Sequence, residues 1–109
     1  MEQLAAIIEN DSCEILVARD GDAIVGSLTL VVFPIPTGLR AWIEDVVVDG
    51  SARGKGVGEA LNRFALDRAR SLGAKTVDLT SRPSREAANR LYQRLGFVAR
   101  DTNVYRYTL

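Results

Sequence analysis

Residues 46–61, VVVDGSARGKGVGEAL, run from three valines through a turn with four glycines into the start of a helical pattern. Strand, glycine turn and helix in that order make one unit of an α/β fold. Glycine permits positive φ and close approach of a ligand, and unpaired N–H groups at a helix start act as anion donors. Arg53 and Lys55 add positive charge to the turn, and a guanidinium forks well onto phosphate. The spacing excludes two familiar phosphate binders. A P-loop needs four residues between its first glycines and a hydroxyl after the lysine; Gly50 and Gly54 enclose three, and Gly56 follows Lys55. A dinucleotide fingerprint needs a third glycine where Glu59 stands.

Upstream of this unit, residues 14–19 and 23–33 read as two strands around the turn Asp20-Gly21-Asp22, a hairpin. Residues 34–38 break the chain with two prolines and a glycine, and residues 39–48 form a third strand rich in β-branched and aromatic side chains. Residues 2–9 predict a two-turn amphipathic helix. Downstream, Ala60, Leu61, Phe64, Ala65, Leu66, Ala69 and Leu72 follow a helical period over about 59–72, and Gly73 stops it. A strand is predicted over 75–80 and a helix over 85–95, with Pro83 near its start and Gly96 closing it. Two last strands are expected at 97–100 and 104–109 around a polar turn. This order predicts one α/β (α+β) domain over residues 1–109, with a mixed, mostly antiparallel sheet flanked by helices.

The 109 residues are 47% apolar and 26% charged, which suits a single soluble domain and argues against disorder. No apolar run approaches the ~18 residues of a membrane span, and no basic leader precedes one, so no membrane partner and a cytoplasmic location are expected. One cysteine, Cys13, and no histidine leave no zinc site, no Ser-His-Asp arrangement and no expected metal. The zero net charge conceals two halves. Residues 1–52 hold two basic and nine acidic residues; residues 53–109 hold twelve basic and five acidic ones. That split suits a phosphate-rich ligand on the second half and a cationic substrate drawn to the first, or mere mutual neutralisation. Few aromatics accompany the basic residues, so nucleic acid is not expected as a partner.

The turn also carries R-x-x-G-x-G as Arg53-Gly54-Lys55-Gly56-Val57-Gly58, which resembles the pyrophosphate loop of the GNAT superfamily of N-acetyltransferases. Farther on, Ala88-Asn89-Arg90-Leu91-Tyr92-Gln93-Arg94-Leu95-Gly96-Phe97 is similar to that family's A-x-x-L-Y-x-x-x-G-F helix. The resemblance covers roughly residues 14–109. It implies a GNAT-like acyl-CoA N-acyltransferase fold, acetyl-CoA as acyl donor and an amine as acceptor. It implies that the backbone of Val46, Val47 and Val48 holds the pantetheine arm and thioester, and that residues 53–58 hold the pyrophosphate. Arg85 stands where the family has an asparagine, so Ser84 or Asn89 is expected to make that cofactor contact. A strand and helix that the family places ahead of residues 2–9 have no counterpart here.

Tyr92 aligns with the family's general acid for the departing thiolate. Glu44 is the candidate base, because it shares a strand face with Val46 and Val48; Asp45 points the other way unless a bulge intervenes. A homodimer is expected, since the absent first strand leaves the 14–33 hairpin an uncovered edge. The alternating segment 104–109, with Tyr105 and Tyr107 as anchors, could supply the pairing. The rival reading is a non-catalytic acyl-CoA-binding module, for which neither Tyr92 nor Glu44 is needed.

Overall fold

A computed structural model describes the backbone of residues 3–9 and residues 12–109 in full. Its centre is a five-stranded sheet in the order β1-β2-β3-β4-β5. The strands are β1 (Gln3–Glu9), β2 (Cys13–Asp20), β3 (Ala23–Ile35), β4 (Gly38–Val48) and β5 (Ala74–Asp78). The first four pair antiparallel, and β5 lies parallel to β4. A parallel neighbour needs a crossover, and α1 (Val57–Ser71) provides it. A second helix, α2 (Glu86–Leu95), follows β5. Neither helix is long and apolar enough to cross a membrane.

Two expected elements differ. Residues 3–9 form a strand on β2, where a helix was expected. An apolar run this short fits either period, and the ladder offered by β2 decides it. The hairpin edge therefore has a neighbour in β1, which removes the expected bare edge at 14–33. Residues 97–109 carry no strand. Alternation makes a segment competent to pair, but a strand exists only beside another.

The core lies between the sheet and α1. Val57, Leu61, Ala65 and Ala69 recur every four residues, and this stripe is buried with Leu16, Ala18, Leu28, Leu30, Ala41 and Ile43 of the sheet. Gly26 on β3 makes the close approach possible: a Cβ there would lie 2.8 Å from Val57 Cγ1 and 3.1 Å from Leu61 Cδ1. One charged pair reinforces the contact. Arg68 Nε donates to Glu14 Oε1 at 2.8 Å and Arg68 Nη2 to Glu14 Oε2 at 2.6 Å, tying α1 to β2 by a two-armed fork.

Candidate active site

Two strands that start side by side and then part create the cleft. β4 and β5 pair from Leu39 with Ala74 to Trp42 with Asp78, where β5 ends and β4 runs on to Val48. From Ile43 onward β4 has a ladder neighbour among the described residues on its β3 side alone. The opening holds about 240 Å³ and is lined by Ile43, Glu44, Asp45, Val46, Leu79, Thr80, Arg85 and Tyr92.

A bulge in β4 shapes one wall. Its register against β3 shifts between Thr29 with Glu44 and Ser27 with Val47, and Asp45 takes φ 51°, in the left-handed region. Glu44, Asp45 and Val46 consequently all line the same cleft, where strict alternation would have turned Asp45 away. The Glu44 carboxylate accepts a hydrogen bond from Trp42 Nε1. Val47 is exposed and Val48 half-buried beside the core, so the valines offer the cleft backbone more than a shared side-chain surface.

α2 supplies the opposite wall. Tyr92 is 7% exposed, and its ring meets Phe97 edge-on with centroids 5.8 Å apart. Its hydroxyl has no hydrogen-bond partner among the described residues, while the rest of the side chain is packed. Arg85 is the residue immediately before α2, and its guanidinium is also unpaired. The sequence marked Arg85 only as a departure from a pattern; its place just ahead of the tyrosine helix is the signal that it faces the cleft. Ser84 and Asn89 lie outside the lining. Asn89 Nδ2 donates to the Arg82 carbonyl at 2.9 Å, which fixes the turn that presents Arg85.

The glycine turn begins where β4 ends. Asp49 accepts from the Ser51 amide at 3.2 Å and caps a single 3-10 turn, Gly50–Ala52. Gly54 and Gly56 then take φ of 80° and 78°. A Cβ on either would meet no protein atom within 4 Å, so the turn is open on its outer side. Gly56 is also the N-cap of α1, and no side chain caps that helix. The first helical bond is from Ala60 N to the Gly56 carbonyl, and the amides of Gly54, Gly56, Val57 and Gly58 donate to no protein group among the described residues. The Lys55 amide does: it donates to the Ala52 carbonyl at 3.3 Å. Arg53 and Lys55 are exposed, with side chains unpaired among the described residues. Such a turn presents several donors and two cations to an anion.

Two buried or tethered groups hold the helix start in place. Asn62 Nδ2 donates to the Gly58 carbonyl at 2.8 Å, while its Oδ1 is buried with no partner among the described residues. Glu59 accepts from Arg94 of α2 at 3.1 Å and from Arg63 at 3.2 Å. The Arg94 hydrogen bond, then the Arg63 one, hold the Glu59 carboxyl below its usual 4.5.

Comparison with known proteins gives this geometry a context. Residues 1–97 match the acetyltransferase (GNAT) family. The chain is 39% identical over 104 residues to a glucosamine 6-phosphate N-acetyltransferase of Trypanosoma brucei brucei, covering 93% of this chain and 66% of that protein. It is 36% identical over 73 residues to N-alpha-acetyltransferase 30 of Schizosaccharomyces pombe, covering 67% of this chain and 48% of the relative. The chain thus spans about half of one of these curated relatives and about two thirds of the other. Among solved structures, a transcriptional regulator from Bacillus halodurans C-125 superposes with a TM-score of 0.83 at 34% identity, over 92% of this chain and 69% of that one.

Proposed function

This chain belongs to the GNAT family of acetyltransferases, and from that we propose that it moves an acetyl group from acetyl-CoA to a primary amine by direct attack. The observation that carries the reading is the continuity of β4 from the parted cleft at residues 43–46 through Val48 into the glycine turn, so that cleft and turn suit the two ends of one long donor. Unspent amides at residues 54 and 56–58, an open outer side, and the Arg53 and Lys55 cations fit a pyrophosphate. Acetyl-CoA, when bound, supplies the acetyl group as an activated thioester. The backbone of Val46, Val47 and Val48, free of β5, is the part of the chain suited to hold its arm and polarise its carbonyl.

In this reading Tyr92 hydrogen-bonds the departing sulfur. With a phenol near ~10 and a thiol near ~8.5, complete proton transfer is uphill by about 2 kcal/mol, so a hydrogen bond that strengthens as charge develops is the better description. Glu44 and Asp45 draw in the ammonium form of the acceptor. An ordinary carboxylate is a weak base for an amine near ~10.4, so deprotonation runs through water held by Glu44. Both named curated relatives are N-acetyltransferases, and an amine acceptor is the chemistry their names share. The working unit is proposed to be a homodimer, and the cytoplasm its location, which suits a chain with one thiol.

The test is mass spectrometry of a panel of amino sugars, polyamines and peptide N-termini incubated with the protein and acetyl-CoA. Gain of one acetyl group by a panel member supports transfer. Tight CoA binding with no acetylated product from any amine supports the binding module instead.

A further inference from the structure

Arg85 is the cation on the cleft wall, and no described residue makes use of its charge. It joins no ion pair among the described residues, although Glu44 and Asp45 line the same opening. Local structure gives it no purpose either. Arg85 is the N-cap of α2, a position that favours short side chains able to accept from the first amides, and its own side chain caps nothing. A helix start is also the positive end of the peptide dipoles, so a cation there is mildly repelled. Arginine at this position opposes the fold slightly, with no protein contact to offset it.

The backbone nevertheless holds Arg85 in place. Its amide donates to the Arg82 carbonyl at 3.0 Å, and its carbonyl accepts from the Asn89 amide at 2.9 Å. Asn89 Nδ2 bonds the same Arg82 carbonyl at 2.9 Å, and Pro83 fixes a further dihedral of the turn. A long cationic side chain thus starts from a set point on the cleft wall. The other wall carries the opposite charge. Glu44 accepts from the neutral Trp42 Nε1, and neither Glu44 nor Asp45 is in an ion pair among the described residues.

We propose that Arg85 binds an anionic group of the acceptor, so that the amine acetylated is a compact zwitterion. Its ammonium is drawn to Glu44 and Asp45, and its carboxylate or phosphate is held by Arg85. This rests on the acetyl transfer proposed above and names the class of amine. The signs match at both ends, and a guanidinium fork suits either anion. A polyamine would bring a second cation against Arg85, and a neutral amine would leave it unpaired. The cleft of about 240 Å³ is smaller than the ~300 Å³ at which pockets for drug-sized ligands begin, so amine and anion lie within a few atoms of each other. The donor is no substitute partner. In the reading above its pyrophosphate lies on residues 53–58 and only its uncharged thioester end enters the cleft.

Steady-state kinetics with acetyl-CoA on the full chain and on Arg85→Gln is the test. The acceptors are an α-amino acid with its carboxamide, an amino sugar phosphate with the free amino sugar, and a polyamine. The native chain should favour the anionic member of at least one pair by about tenfold or more in kcat/KM, as one charge-assisted contact implies. Which pair shows it tells carboxylate from phosphate. Arg85→Gln should shrink that ratio about tenfold, chiefly through KM, while Arg85→Lys keeps the charge and most of the ratio. CoA affinity by calorimetry and the melting temperature should hold in both variants. Equal use of both members of each pair, or preference for the polyamine, overturns the proposal and leaves acetyl transfer standing. A ratio unchanged in Arg85→Gln, or a loss of CoA affinity in that variant, also overturns it. Failure to acetylate any of these amines while CoA binds overturns the proposal and the transferase reading together.

Discussion

Tyr92 and Gly56 carry the most specific expectations at the scale of single residues. Tyr92→Phe removes a hydroxyl that bonds to no protein group among the described residues, so the fold and CoA affinity should hold while kcat falls about 10²-fold or more. Steady-state kinetics with an identified acceptor checks this, and an unchanged kcat assigns the thiolate's proton to another source. Gly56→Val places a β-branched residue at φ 78°, which costs about 1–2 kcal/mol of backbone strain, and fills the open side of the turn. CoA affinity measured by calorimetry should drop about tenfold or more. Asp45 offers a sharper separation of roles. Asp45→Gly relaxes its left-handed φ of 51° yet removes a carboxylate from the cleft, so the melting temperature should hold or rise while turnover falls. A joint loss of stability and turnover would mean that the bulge needs the aspartate itself.

Contacts between elements give two more expectations, both on the sheet and helices that frame the cleft. Gly26→Ala forces a Cβ to 2.8 Å from Val57 and should destabilise the domain by about 1–3 kcal/mol in denaturant titration, since α1 must back away from β3. The link between α1 and α2 is pH-dependent through Glu59. Its carboxyl titrates below its usual value of 4.5 in the folded chain, so the link contributes stability above that value and loses it as pH falls through the lowered one. The difference in melting temperature between the native chain and Glu59→Gln should be present above the usual carboxyl value of 4.5 and close as pH falls through the lowered one. A difference that persists in acid would remove Arg94 and Arg63 as its cause.

The molecule as a whole shows which features of a sequence carry their own structural reason. Gly54 and Gly56 were legible because positive φ at a helix start is a local demand, and α1 because Val57, Leu61, Ala65 and Ala69 repeat its period. Tyr92 was legible through its motif, and its burial beside Phe97 follows from Gly96 turning the chain back at φ 105°. Asp45 in the cleft was not, because its orientation depends on a register shift against β3 that no neighbouring residue announces. Residues 3–9 and 97–109 share one cause of misreading: whether an apolar or alternating segment becomes a strand is decided by the edge it meets.

The account holds that one donor lies along β4, from the glycine turn to the cleft. A crystal structure of the chain with CoA tests that most directly. The pyrophosphate should sit on the amides of residues 54 and 56–58 with Arg53 or Lys55 against it, and the thiol should lie within hydrogen-bonding reach of the Tyr92 hydroxyl. A pyrophosphate bound elsewhere, or a thiol directed away from Tyr92, would contradict the account.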